Sequence, residues 1–217
     1  MTTWTLTPAS VSPWTVPAGV TAIQVECWAS GGGGSGAFGS GGGGGAYARK
    51  NSYAVTPGTT INFTCPSGGA SNSDGSDCWF ASTSVVLAKA GKAGQSPGTG
   101  LGGSATSCVG DAVFSGGNSG TTNGAQKTGG GSSAGTGAAG NNALSNTQSV
   151  GATAPSGGGN GGDGGDSGSS TAGAVPGGGG GGDSRNHGAA SPGGAAKIII
   201  TDVTPVGTGG AFASGWW

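Results

Sequence analysis

The stretch from Val16 to Gly45, VPAGVTAIQVECWASGGGGSGAFGSGGGGG, decides the fold. Polar and apolar side chains alternate over residues 21–28, which places Ile23 and Val25 on one face and predicts a half-buried β-strand. The strand pattern ends abruptly in glycine. The rest of the chain repeats this arrangement of short apolar runs and glycine tracts, and glycine dominates residues 91–196.

The composition excludes an ordinary hydrophobic core for the glycine-rich part. The chain has 56 glycines among 217 residues, and each loses roughly 0.5–1 kcal/mol more backbone entropy on folding than alanine does. No aromatic residue lies between Phe114 and Phe212. Side-chain burial therefore cannot offset the lost entropy in this region.

Charge is sparse and balanced, with 7 Lys and Arg residues against 8 Asp and Glu residues. No basic residue lies between Thr128 and Ser184, so we expect neither nucleic-acid binding nor attraction to anionic membranes. The lack of a long apolar run predicts that the chain does not insert into a membrane. Because disordered segments usually carry a high net charge, this balance disfavours disorder in the glycine tracts.

The glycines recur with a period of three in three stretches, with Pro97 at the missing step of the second, and three residues per turn is the repeat of the polyproline II helix. Glycine helices of this kind approach closely and hydrogen-bond backbone to backbone, which satisfies N–H and C=O groups without a side-chain core. We therefore expect a bundle of polyglycine II helices rather than disordered loops, each about 12 residues and 35–40 Å long. The three registers are Gly33 to Gly45, Gly91 to Gly103 and Gly159 to Gly168.

Further strands are predicted where apolar residues alternate or cluster. Ala196 to Thr201 is the strongest of these, and pairing it with the strand at residues 21–28 closes the domain. The predicted fold class is mainly β, a small sheet or sandwich formed by the N- and C-terminal strands, with a polyglycine II bundle, long loops and essentially no α-helix. The weaker strands are at residues 60–65, 78–80 and 84–89.

This organisation divides the chain into an N-terminal arm, residues 1–15, a single glycine-rich domain, residues 16–203, and a C-terminal tail, residues 204–217. An exposed tryptophan in a short segment usually packs on its own domain or on a partner. The candidates for attachment or packing are Trp4, Trp14, Trp216 and Trp217.

Several motifs resemble the glycine-rich domain of tailed-bacteriophage tail proteins. They are WTVPAGVT at Trp14 to Thr21, IQVECW at Ile23 to Trp28 with the GGGG that follows, GGAYA at Gly44 to Ala48, VTPG at Val55 to Gly58 and GGAAKIII at Gly193 to Ile200. The resemblance implies a virion surface component, a tail fibre, fibre tip or minor tail protein, in which polyglycine II layers present receptor-binding loops. The chain departs from the family pattern in its short N-terminal arm and in the length of the segment after Ile200.

The resemblance and the polar loops favour a non-enzymatic adhesin in the virion, which contacts other virion proteins and binds a host-surface polysaccharide or outer-membrane protein. Fibres are usually homo-oligomers, so we expect a trimer or, alternatively, a monomeric tip. Aromatic faces stack on sugars and amides bind hydroxyls, so the receptor-contact candidates are Trp79, Phe80, Asn141, Asn142, Asn186 and His187. The alternative function is a structural head or tail decoration or fibre protein without receptor binding.

Residue types needed for catalysis and cofactors are scarce. His187 is the only histidine and Glu26 the only glutamate, and no G-x-S-x-G elbow accompanies the formal pair of His187 and Asp183. We expect no enzyme activity and no cofactor. A GGNGGD sequence begins like a calcium β-roll repeat but has no tandem copy, which leaves Asp163 and Asp166 as weak calcium candidates.

The cysteines indicate an extracellular protein, although the N-terminus lacks a secretory signal. A particle that assembles in the host cytoplasm and is released by lysis reconciles the two observations. Four cysteines allow three full pairings, and Cys65 with Cys78 is favoured, since it closes a loop of about 14 residues, a constraint worth roughly 3 kcal/mol in the chain-entropy model. Cys27 is alternatively a free buried thiol. The disulfide candidates are Cys27, Cys65, Cys78 and Cys108.

Overall fold

The computed structural model describes residues 1–36, 38–123, 126–145, 149–166, 168–184 and 190–205. This part of the chain is mainly β, and its helical content is one turn of 3-10 helix at Ala105–Ser107. The strands are β1 Thr3–Leu6, β2 Trp14–Thr15, β3 Ala22–Trp28, β4 Tyr47–Ala54, β5 Thr60–Ile61, β6 Phe63–Thr64, β7 Cys78–Phe80, β8 Val86–Ala88, β9 Ala112–Phe114 and β10 Lys197–Asp202.

The main sheet joins the two ends of the domain. Its five strands run antiparallel in the order β1-β10-β3-β4-β9. Strand β10 lies beside β3, with Lys197 opposite Trp28 and Asp202 opposite Ile23, so the predicted closure by these two strands is confirmed. Strand β1 pairs with the other side of β10, and part of the predicted N-terminal arm therefore belongs to the sheet.

A smaller sheet, β6-β7-β8, packs on the main sheet and completes a sandwich. The alternation read in the sequence of β3 is the burial pattern of the strand, because Ile23, Val25 and Cys27 face the core whereas Gln24 and Glu26 are half-buried. The predicted strand at residues 60–65 is divided at Asn62, since β5 pairs with β2 and β6 pairs with β7. The core between the sheets contains Ile23, Val25, Cys27, Phe63, Cys78, Phe80, Val86, Ile198 and Ile200.

The glycine-rich chain forms short segments whose backbone hydrogen bonds rotate through three directions. Along residues 29–35, the N–H groups of residues 29, 32 and 35 bond to residues 39–46. Those of residues 30 and 33 bond to residues 73–76, and those of residues 31 and 34 bond to residues 191–194. A threefold rotation is the repeat of polyglycine II, so the segments form a backbone-bonded bundle of the kind that the sequence predicts.

Four central segments, residues 29–35, 39–46, 127–135 and 177–183, hydrogen-bond to neighbours on all sides. Three of them contain the longest glycine runs of the chain, residues 31–34, 41–45 and 177–182. A methyl group on Gly42 would overlap the carbonyl oxygen of Gly32 in the next segment. Neighbouring backbones at this distance exclude any side chain. The segments that bond to residues 39–46 are residues 29–35, 89–95, 98–104, 115–121, 127–135 and 177–183.

The predicted helix length of about 12 residues is wrong for the first two registers, because the chain reverses inside each of them. The Ser35 N–H donates to the Ser40 carbonyl at 2.9 Å, and the Lys92 N–H donates to the Leu101 carbonyl at 2.8 Å. Each register is therefore two antiparallel segments. In the first register the glycine spacing continues across the turn, so the sequence gives no sign of the reversal, whereas in the second register Pro97 replaces a glycine at the turn.

Aromatic residues join the bundle to the outer face of the main sheet. The Trp28 Nε1–H donates to the Ala134 carbonyl at 3.1 Å, and Tyr47 lies between the rings of Trp28 and Phe114. The Tyr47 hydroxyl donates to Glu26 Oε1 at 2.6 Å. Burial, followed by the Glu26 carboxylate, raises the pKa of the Tyr47 phenol well above its ordinary value, so it stays protonated.

Candidate functional site

Turns of the bundle gather at the end that lies farthest from the sandwich. Strand β3 leads into residues 29–35 and residues 39–46 lead back into β4, so the turn around Phe38 is remote from the sheet. The Ser96 hydroxyl donates to the Phe38 carbonyl at 3.1 Å, which joins a second turn to the first. We call this end the distal face, and its described residues include Phe38, Ser96, Thr99, Thr121, Thr122, Lys127, Ser145, Asp166, Ser169 and Ser184.

Hydroxyl groups tie the distal turns to one another. Thr99 Oγ1 and Thr121 Oγ1 are 2.7 Å apart, and the Thr121 N–H donates to Ser145 Oγ at 3.2 Å. Thr122 Oγ1 lies 3.4 Å from the Phe38 carbonyl of another turn and donates to the Gln126 carbonyl of its own turn at 2.6 Å. Because hydroxyls both donate and accept, the described residues of the distal face form a polar surface able to hydrogen-bond a hydroxylated or peptide ligand.

The two calcium candidates lie in different hydrogen-bonded settings. Asp166 pairs with Lys127 and accepts from the Ser184 hydroxyl, whereas Asp163 Oδ1 accepts the Gly151 N–H at 2.7 Å. Among the described residues, no three His, Cys, Asp or Glu side chains are grouped so as to hold a metal ion. The predicted calcium site stays a weak prediction.

Two of the predicted receptor contacts have structural partners at the edge of the bundle. Asn142 Oδ1 accepts the Asn118 N–H at 2.7 Å, and Asn141 Nδ2 donates to the Thr153 carbonyl at 2.8 Å. Amide and carboxylate oxygens accept backbone N–H groups in the same way as Asn142 at other positions of the bundle. These acceptors include Asn72 for Gly36, Asn118 for Gly102, Asn160 for Ala154 and Asp163 for Gly151.

The aromatic candidates belong to the sandwich. Phe80 is fully buried and its ring lies 5.9 Å from that of Trp14, so the prediction of Phe80 as a receptor contact is wrong. Trp79 points to the opposite face of β7 and is half-buried. Trp4 packs edge-on against Trp14 at 5.6 Å, which favours packing over attachment for both. The candidates Asn186, His187, Trp216 and Trp217 lie outside the described residues.

All four cysteines are described, and all are free thiols, so the predicted disulfide is not present in the structure. Cys65 and Cys78 nevertheless continue the pairing of β6 with β7, in which Thr64 lies opposite Trp79. Burial raises the pKa of Cys78, and a hydrogen bond with Cys78 lowers the pKa of Cys65. Cys108 is separate, with its Sγ accepting the Lys89 N–H at 3.3 Å.

A sequence model of a glycine-rich domain matches residues 6–215 of the chain. No curated protein gave a significant match. In the described part of the chain, no helix has the length and apolar character needed to cross a bilayer.

Proposed function

The chain belongs to the glycine-rich domain family, and we propose that it is a bacteriophage virion surface protein, a tail-fibre or tail-tip adhesin whose distal face binds a host-surface receptor. The observation that carries the proposal is the gathering of turns from separate segments at the end opposite the sandwich. The receptor is a surface polysaccharide or an outer-membrane protein, and the function is binding rather than catalysis.

The backbone lattice supports this function through preorganisation. Ordering a flexible loop on binding reduces affinity, whereas the distal turns are anchored on segments bonded along their whole length. Polar side chains on such turns can differ in sequence without disturbing the lattice, since the bond between Thr99 and Thr121 joins two side-chain hydroxyls. Receptor specificity is therefore free to change while the bundle remains the same.

The sandwich end is suited to attachment in the virion. Strand β1 forms an edge of the main sheet, and an edge strand has free N–H and C=O groups for pairing with another protein. Other virion proteins are the partners at this end. A trimer and a monomeric tip are both compatible with attachment through β1.

Binding of the labelled, purified full chain to a panel of Gram-negative and Gram-positive bacteria tests the function. We expect binding to a subset of strains and its loss in the double variant Thr99→Lys and Thr121→Lys, because the half-buried Thr99 and the exposed Thr121 place their hydroxyls on the distal face. Thr5→Lys, at an exposed threonine of β1, is the matched control and should bind normally.

Two results would contradict the proposal of an adhesin that binds through its distal face. Equal binding by the distal double variant and the wild type would exclude the distal face. The lack of binding to any strain, together with regular coverage of the capsid or tail in a particle reconstruction, would instead support the structural decoration protein.

We also infer that Cys65 and Cys78 form a disulfide after release of the particle. Directly opposed residues of antiparallel strands have Cα atoms about 4.5–5.5 Å apart, within the range of about 4.4–6.8 Å that a disulfide spans. Dissolved dioxygen takes two electrons and two protons from the two thiols. Alkylation of denatured, unreduced particles should then modify Cys27 and Cys108 only, and modification of all four cysteines would refute the cross-link.

A further inference from the structure

A cavity of about 550 Å³ lies on the flank of the bundle, beside the point where β8 passes into the glycine-rich segments. Its walls come from residues 75–77, 89–92 and 101–107. The Gly75 N–H donates to the Gly91 carbonyl at 2.9 Å, and the Lys92 N–H donates to the Leu101 carbonyl at 2.8 Å. Because the lattice fixes these walls, the cavity exists before any ligand binds.

Two lysines on one wall each pair with a carboxylate that a backbone N–H also holds. The lysines are three residues apart, one turn of the threefold helix, which is about 9 Å. An ammonium group has three donors, so a single carboxylate partner leaves two donors on each lysine for a ligand. The pairs are Lys89 with Asp77, which accepts the Ala90 N–H at 2.9 Å, and Lys92 with Asp74, which accepts the Ala93 N–H at 2.8 Å.

The wall next to the lysines has an apolar centre with hydroxyls beside it. Leu101 is 53% exposed, the side chain of a large apolar residue left open to the cavity and solvent. Ser104 and Ser107 line the cavity next to it. This wall matches the mixed surface of a sugar ring, which has C–H groups on its faces and hydroxyls at its edge.

We propose that this flank cavity binds a short segment of an acidic polysaccharide, a hydroxyl-rich chain that carries carboxylates. Lys92 and Lys89 donate to the carboxylates and hydroxyls of the sugars, the serines bind hydroxyls, and Leu101 packs on a ring face. The site is separate from the distal face. The biological role of this site rests on the proposed adhesin function, and the site adds acidic polysaccharides as a class of ligand.

Calorimetric titration of the full chain with tetragalacturonic acid and with neutral cellotetraose tests the site. We expect the acidic probe to bind and the neutral probe to bind at least roughly tenfold more weakly, since charge-assisted hydrogen bonds are lost. Lys92→Met and Leu101→Asp should each weaken acidic binding roughly tenfold. Lys50→Met, which removes a lysine paired with Asp111 elsewhere on the surface, should leave it unchanged.

Several outcomes would overturn this site: no binding of the acidic probe, equal binding of the two probes, unchanged binding by both cavity variants, or an equal loss in Lys50→Met. Equal binding of sodium sulfate would reduce the site to a general anion site and overturn it as well. Melting temperatures of the variants identify unfolding, and Leu101→Ala replaces any variant that unfolds, because the lattice uses only the Leu101 backbone.

Failure of this site is distinguishable from failure of the adhesin. The distal double variant Thr99→Lys and Thr121→Lys should bind tetragalacturonic acid normally while losing binding to cells. Loss of acidic-sugar binding in that variant would contradict the flank cavity as the sugar site. If the wild-type chain binds cells but does not bind tetragalacturonic acid, the flank cavity fails while the distal face stands as the receptor site.

Discussion

Gly42 illustrates what this fold requires of a single residue. A side chain at this position would enter the backbone of Gly32, while the Gly42 N–H donates to the Gly180 carbonyl at 2.8 Å and its carbonyl accepts from Gly131 at 3.0 Å. Glycine is therefore selected here by the close approach of neighbouring backbones. At Gly177 a second cause adds to this one, since its φ of 67° disfavours side chains.

The replacement of Gly42 by alanine should lower the free energy of unfolding by about 3 kcal/mol or more, because the overlapping atoms are backbone and cannot rotate away. Gly137→Ala is the matched control, since the position is exposed and nothing lies near its Cβ site. It should change stability by less than about 1 kcal/mol. Urea unfolding measures both variants, and equal stability would mean that Gly42 lies in a loose loop.

Asp74 makes the stability of the bundle edge depend on pH. The Ala93 N–H, and then Lys92, lower the pKa of its carboxyl below the ordinary value. A lowered folded-state pKa stabilises the protein above the ordinary pKa of about 4, and this contribution disappears as pH falls through the folded-state value. Asp74→Asn should therefore have a melting temperature that falls less between pH 7 and pH 2.5. A fall as steep as that of the wild type would exclude this linkage.

At the scale of elements, β10 holds the domain together. It lies between the N-terminal strand and β3, and Ile198 and Ile200 are fully buried whereas Ile199 faces outward and is half-buried. The apolar run of this strand reads as three equivalent isoleucines in the sequence. Their environments differ because successive side chains of a strand point to opposite faces.

Ile198→Ala should destabilise the protein by about 2–5 kcal/mol, because it leaves a cavity between two sheets. Ile199→Ala at the neighbouring position should lower stability by about 1 kcal/mol, since less apolar area is buried there. Thermal unfolding of the two variants checks the assignment of faces. A larger loss in Ile199→Ala would reverse the orientation of β10.

The sequence predicts elements that depend on local pattern and misses those that depend on partners. Strands β3 and β10 and their pairing follow from alternation and β-branched residues. The sequences PAG at residues 17–19 and PG at residues 57–58 are local turn signals, and Gly19 and Gly58 have a positive φ, 81° and 82°. The division of the strand at Asn62 and the reversal after Ser35 cannot be predicted from the local sequence, because both depend on pairing with segments that are distant in the chain.

At the scale of the molecule, the fold separates a side-chain-packed end from a backbone-bonded end. The sandwich is stabilised by hydrophobic burial, whereas the central segments are stabilised by hydrogen bonds that neighbouring glycines complete. The sequence predicts this division from composition alone. It does not predict the distal face, because the turns that form it are far apart along the chain, such as those of Phe38 and Ser145.

The roles of the candidate residues also depend on the whole molecule and could not be predicted from the sequence. Asn142 is an exposed amide in a polar stretch, which in sequence resembles a ligand contact, and only the neighbouring segment reveals that it bonds to the Asn118 backbone. Phe80 is an aromatic residue next to a polar loop, yet the sandwich buries it. A contact role and a structural role use the same residue types, and position in the bundle decides between them.

Native-state hydrogen exchange of the central segments tests the backbone lattice most directly. The N–H groups of Gly42, Gly43 and Gly179 are bonded inside the bundle, so we predict exchange as slow as that of the β3 core, with opening only in global unfolding. Exchange of these glycines at the rate of free peptide, while β3 and β10 stay protected, would contradict the account.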